Sequence, residues 1–117
     1  MAPVLVIPVG STEQHGPHLP LDTDTRIATA VERLPGPDWL LAPAISYGAG
    51  GEHDGFAGSL SIGTVALELL LVEYGRSACN WAARLVFGNG HGGNVAALAA
   101  AAALLRYEGR DGGWVSA

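Results

Sequence analysis

A chain of 117 residues, 49% apolar and 15% charged, is one domain's worth of sequence and too apolar for intrinsic disorder. Eleven acidic against six basic side chains give a net charge of −5, which excludes the basic face that nucleic acid or an anionic membrane surface requires. A single cysteine, Cys79, excludes an internal disulfide and fits a reducing cytoplasm.

In chain order, the N-terminal "MAPVLVIPVG" lacks a basic leader and a long apolar core, so it is not read as a signal peptide. Within it, "VLVIPV" at 4–9 is a β-branched apolar run ending at Gly10, the pattern of a strand buried on both faces. Residues 24–34, "DTRIATAVERL", place Ile27, Val31 and Leu34 on one helical face, and Pro35-Gly36-Pro37 ends that helix. "WLLAPAIS" at 39–46 predicts a second strand, followed by the glycine-rich loop "YGAGGEHDGFAGS". A helix capped by Thr64 is expected over 64–83, and a third strand over 84–89, "RLVFGN". Asn94 can cap a helix running through Glu108, which Gly109 ends. Its apolar stretch "VAALAAAAALL" at 95–105 is too short to span a bilayer. "GWVSA" at 113–117 starts a fourth strand. Strands alternating with helices imply βαβ units, hence an α/β fold of three layers, α/β/α, around a mostly parallel sheet. A last strand with no polar tail after it suggests a single domain over 1–117 that is truncated at its C-terminus.

Sites in such sheets lie beyond the carboxyl ends of the strands. Two polar clusters fall there: "GSTEQHGPHLPLDTDT" at 10–25, after the first strand, and "GNGHGGN" at 88–94, after the third. If those strands are neighbours, both loops converge on one pocket. In an extended segment, Glu13 and His15 point to the same side, about 7 Å apart at the backbone. Asp24 can return a carboxylate to that place and His91 a second imidazole. Two carboxylates with two imidazoles suit Zn²⁺, Fe²⁺ or Mn²⁺, and lack the thiolates of a structural zinc site. Blander readings stand beside this one: Asp22 or Asp24 as helix caps, Glu13 as a solvated charge, and Glu52 with His53 as a polar turn. "GNGHGGN" can also be read as an anion-binding loop at a helix N-terminus, although it has neither the G-x-G-x-x-G spacing nor a P-loop lysine.

"GSTEQHGPHLPLDTDT", "GEHDGFAGSLSIGT" and "NGHGGN", in this order, resemble the motifs of the creatininase family of metal-dependent amidohydrolases. "PVGSTEQHGPHLPLDTDTRIATAV", "LLVEYGRSA" and "LLRYEGRD" are most similar to the mycofactocin-system branch of that family. The resemblance implies a creatininase-like fold and Glu13, His15, Asp24 and His91 as metal ligands, with Asp24 bridging two divalent ions (Fe²⁺ or Zn²⁺, with Mn²⁺ as a further option). It implies hydrolysis of an amide bond that releases a C-terminal Val-Tyr dipeptide from the modified mycofactocin precursor peptide. Other members imply a small cyclic amide or a formamide as substrate, and a non-catalytic metal-binding fragment is the third reading. A homo-oligomer is expected.

His18 and His53 are expected to touch substrate or support the ligands, with Gln14 and Asp22 as further support. The backbone N–H groups of Gly92, Gly93 and Asn94 are expected to face developing negative charge. Where some members carry a glutamate ligand two residues after the second-motif histidine, this chain has Gly93. Members with that glycine are expected to draw a glutamate from a later His-Ala-Gly-x-x-Glu-Thr motif, which is not among these residues. A metal-bound water is the expected attacking group. No general base is assigned within the chain, and one is expected beyond Ala117.

Overall fold

A computed structural model describes residues 3–11, 39–49 and 57–116. They form a sheet of four parallel strands, β1 (Val4–Val9), β2 (Trp39–Leu41), β3 (Arg84–Asn89) and β4 (Gly112–Ser116), in the order β2-β1-β3-β4. Two helices, α1 (Gly63–Ala78) and α2 (Val95–Tyr107), pack against each other and against one face of the sheet. The alternation predicted from the sequence is therefore a parallel α/β arrangement. The helix expected over 24–34, which would build the layer on the opposite face, lies outside the described residues.

The period of two in the strands decides what the core contains. Leu5, Ile7 and Val9 of β1 lie in register with Leu85, Phe87 and Asn89 of β3, and the apolar members of this set face the helices. Leu67 and Leu71 of α1 and Leu98 and Leu105 of α2 complete the cluster, all four fully buried. Ala97 and Ala101 are buried too, so the alanine run forms a small-residue face that lets α2 lie close against its neighbours. Leu105 meets Leu85 and Gly75 near the far end of the sheet from the β3–α2 loop. Leu105→Ala should destabilise the fold by about 2–5 kcal/mol, read by denaturant titration, because the cavity it leaves cannot close fully.

Several boundaries differ from the sequence expectation, each for a local reason. The strand expected over 39–46 pairs continuously only over Trp39–Leu41, because the register slips by one residue after Ala42: Ala42 N–H bonds Val6 O, but the next donor to β1 is Ile45 rather than Ala44. The segment still follows β1, through Ile45 N–H to Pro8 O, Gly10 N–H to Ile45 O and a bridge between Val9 and Ile45. Helix α1 ends at Ala78 rather than 83, in a turn where Cys79 N–H bonds Gly75 O and Asn80 N–H bonds Ser77 O. Thr64 is not its cap: Ile62 takes that position, and the Ser61 hydroxyl accepts the Gly63 N–H at 3.1 Å. Gly109 does follow α2, at φ +84°, the left-handed conformation that ends a helix. The fourth strand starts one residue before the expected Gly113, because Gly112 already pairs with Leu85 of β3. Ala117, its expected last residue, lies outside the described residues.

The C-terminal ends of both helices are joined by charge. Arg76 of α1 places Nε 3.0 Å from Glu108 Oε1 and also bonds Glu73, while Arg110 holds the same Glu108 carboxylate. The Arg76 hydrogen bond holds the Glu108 carboxyl below the usual carboxylate range, although burial works against it. A depressed folded pKa contributes stability that is present above the usual glutamate range and is lost as pH falls through the depressed value. The thermal midpoint of wild type should therefore exceed that of Glu108→Gln near neutrality, and the gap should close on acidification.

Candidate metal centre

From β1 the chain moves outward to β2, then crosses back past β1 to β3 and continues to β4. The direction of travel reverses between β1 and β3, and in a parallel sheet that reversal opens a crevice at the carboxyl ends of the two strands. Val9 and Asn89 are register partners at this edge, and Gly90 N–H bonds Val9 O at 2.9 Å. The two strands are thus neighbours, as the convergence of the loops requires.

Among the described residues the buried polar side chains are Ser11, Asn89, His91 and Asn94, and all four belong to this edge. Burying polar groups costs free energy unless partners are supplied, so a cluster of them at one edge of an apolar core marks a place built for something other than packing. His91 is extended, at φ −141° and ψ 124°, and immediately precedes a single 3₁₀ turn, Gly92–Asn94. Its N–H donates to Asn89 Oδ1 at 3.1 Å and its carbonyl accepts the Asn94 N–H at 3.1 Å. A Cβ at Gly93 would stand 2.5 Å from His91 Nε2 and 2.4 Å from Ala49 O, so glycine at 93 is what lets the imidazole lie this close against the 92–94 turn. A buried imidazole, held at the strand ends by its own N–H and carbonyl, has the donor chemistry of a metal ligand. No group of three or more His, Cys, Asp or Glu side chains meets among the described residues.

Of the four ligands expected from the sequence, His91 is described here. Glu13, His15 and Asp24 lie outside the described residues, as do His18, His53, Gln14 and Asp22. The general base, expected beyond Ala117, falls outside them as well, and so does Ala117 itself. Asn94 is in the site, but with a different part from the one expected. It stands at the N-cap of α2 without a side-chain cap bond, and its amide reaches across the crevice instead. Nδ2 donates to Gly10 O at 3.0 Å and to Asn89 Oδ1 at 3.2 Å, and Oδ1 accepts the Ala49 N–H at 2.8 Å. Because the Asn94 N–H is bonded to His91 O, the expected trio of free amides reduces to Gly92 and Gly93.

Sequence reasoning gave no part to Asn89, Ser11, Gly48 or Ala49. A signal existed for Asn89, since asparagine is depleted in strands yet ends the apolar run "RLVFGN". Ser11, Gly48 and Ala49 carry none that spacing alone would show.

The creatininase (creatinine amidohydrolase) family matches residues 1–116. The mycofactocin precursor peptide peptidase of Mycolicibacterium smegmatis is 68% identical over 123 residues, which cover 98% of this chain and 50% of that protein. A solved structure described as "Creatininase Mn" superposes with a TM-score of 0.82 at 31% identity, over 97% of this chain and 50% of the other. A creatininase variant described as Zn-Zn type superposes with a TM-score of 0.76 at 30% identity, over the same shares. The chain thus spans about half the length of the relatives it matches. With a match over nearly all its residues and the same parallel sheet, the chain belongs to the creatininase family.

Proposed function

We propose that this chain carries part of the active site of a metal-dependent peptidase, which releases the C-terminal Val-Tyr dipeptide from the modified mycofactocin precursor peptide. The observation that carries a catalytic reading is the gathering of Ser11, Asn89, His91 and Asn94, all buried, at the reversal point between β1 and β3. The choice of substrate is supported by the 68% identity to a protein of that name. In this reading residues 1–117 belong to one amidohydrolase domain, and His91 acts with Glu13, His15 and Asp24 to hold divalent metal, two ions per site. The named relatives with Mn and with Zn-Zn support a divalent ion, and Fe²⁺ is within the range of an N/O ligand set.

When bound, such a metal lowers the pKa of a water toward neutrality and polarises an amide carbonyl. The chain's own residues prepare that chemistry. His91 presents a buried imidazole on a backbone fixed at both its N–H and its carbonyl. The Gly92 and Gly93 N–H groups, ahead of a helix N-terminus, would donate to the carbonyl oxygen as negative charge develops on it. His18 and His53 would contact the peptide or support the ligands.

Incubating metal-loaded full-length protein with the modified precursor peptide should release Val-Tyr, detected by mass spectrometry. Hydrolysis of creatinine or a formamide with no Val-Tyr released would move the protein to the small-amide branch, and hydrolysis of neither would favour a non-catalytic metal-binding role. We also propose a cytoplasmic homo-oligomer. In support, Val65, Leu69 and Leu104 are exposed along a groove of about 370 Å³ between the helices, and no described helix is long and apolar enough to cross a membrane.

A further inference from the structure

We propose that Asn94 is a positioning residue: its amide locks three strand-end segments together and thereby holds His91 in its metal-binding orientation, with Gly48 as its required counterpart. The inference rests on the metal-centre reading above.

The Asn94 side chain is fully buried, and its hydrogen-bonding capacity is almost completely used. Both amide hydrogens are engaged, one on Gly10 O after β1 and one on Asn89 Oδ1 at the end of β3. Its oxygen accepts the Ala49 N–H, on the segment that follows β2. One side chain therefore fixes the relative positions of segments 84, 5 and 45 residues away in sequence. Asn89 Oδ1 is shared: it accepts from Asn94 Nδ2 and from His91 N–H, so the lock and the histidine hang on the same atom. The Asn94 N–H, bonded to His91 O, fixes the other end of the histidine's peptide unit.

Gly48 completes the arrangement by leaving room. A Cβ there would stand 2.4 Å from Asn94 Oδ1 and 2.5 Å from Gly10 O, a contact no side chain can make without displacing the lock. Aspartate at 94 keeps the shape and the acceptor for Ala49, but turns an oxygen toward two other oxygens, Gly10 O and Asn89 Oδ1. Asn94→Asp and Gly48→Ala thus attack the same lock from opposite sides. Neither removes a ligand.

The test uses full-length protein, with Zn²⁺ and Mn²⁺ titrations, elemental analysis after desalting, and thermal unfolding. Both variants should unfold cooperatively and lose about 10–100-fold in metal affinity, the range seen when groups that orient a ligand are removed. Leu105→Ala, in the core away from the crevice, is the control: it should lower the thermal midpoint but keep wild-type metal affinity. If Asn94→Asp does not fold, Gly48→Ala carries the test alone. Wild-type metal affinity in a folded Asn94→Asp or Gly48→Ala protein would overturn the proposal, as would a matching loss in Leu105→Ala. A wild-type protein that holds no metal would instead overturn the metal-centre reading beneath it.

Discussion

His91→Ala is expected to lower metal affinity at least tenfold, about 1.4 kcal/mol or more, and to abolish hydrolysis while the chain stays folded. The expectation follows from where the imidazole sits. It is buried at the crevice between β1 and β3, on a backbone fixed by Asn89 and Asn94, with its Nε2 edge packed close against Gly93. Losing an orienting group typically costs 10–100-fold in metal affinity, so losing the ligand should cost no less. The fold should tolerate the change, because the apolar cluster of Leu67, Leu71, Leu85, Phe87, Leu98 and Leu105 does not include the histidine. Elemental analysis of purified wild type and variant checks the affinity, and mass spectrometry of the peptide digest checks the activity. Equal metal stoichiometry in the two proteins would remove His91 from the ligand set.

The second large effect is expected from a single methyl group. Gly93→Ala puts a carbon 2.5 Å from His91 Nε2 and 2.4 Å from Ala49 O. Ala49 cannot easily retreat, since its N–H is tied to Asn94 Oδ1 at 2.8 Å. The imidazole must therefore move, and metal affinity should fall as far as in His91→Ala, with an overpacking cost of about 1–3 kcal/mol in stability. Gly92→Ala is the internal control, because a Cβ at 92 meets nothing within 4 Å. Metal titration of the two variants side by side should show loss at 93 and none at 92. The same crowding gives a physical reason why this chain could not place a glutamate at 93 without rebuilding the loop.

Much of the arrangement was legible from residue pattern. The apolar run of β1 showed a strand buried on both faces, and five of its six residues are buried. The alternation of runs showed a parallel sheet, and Gly109 showed where α2 stops. The expected convergence of the 10–25 and 88–94 loops rests on one condition, that β1 and β3 pair, and that condition is met, while residues 12–25 themselves lie outside the described residues. What could not be read was the direction of individual side chains. Asparagine before a helix suggests a cap by propensity, yet Asn94 has three better partners that come from segments as far as 84 residues away. Long-range partners of this kind exist only once the sheet is assembled, so neither Gly48 nor Ala49 carries a local signal for its role. Thr64 failed as a cap for a local reason instead: the helix already begins at Gly63, whose N–H donates to the Ser61 hydroxyl two residues before it.

Everything proposed for this chain depends on the crevice at the carboxyl ends of β1 and β3 being a divalent metal centre with His91 among its ligands. Crystals of the full-length protein grown with Mn²⁺ or Zn²⁺, and measured at the absorption edge of that metal, put this to the test. An anomalous peak is expected in the crevice, within bonding distance of the His91 imidazole. Anomalous peaks only elsewhere on the molecule, or none in a crystal containing the metal at saturating concentration, would refute it.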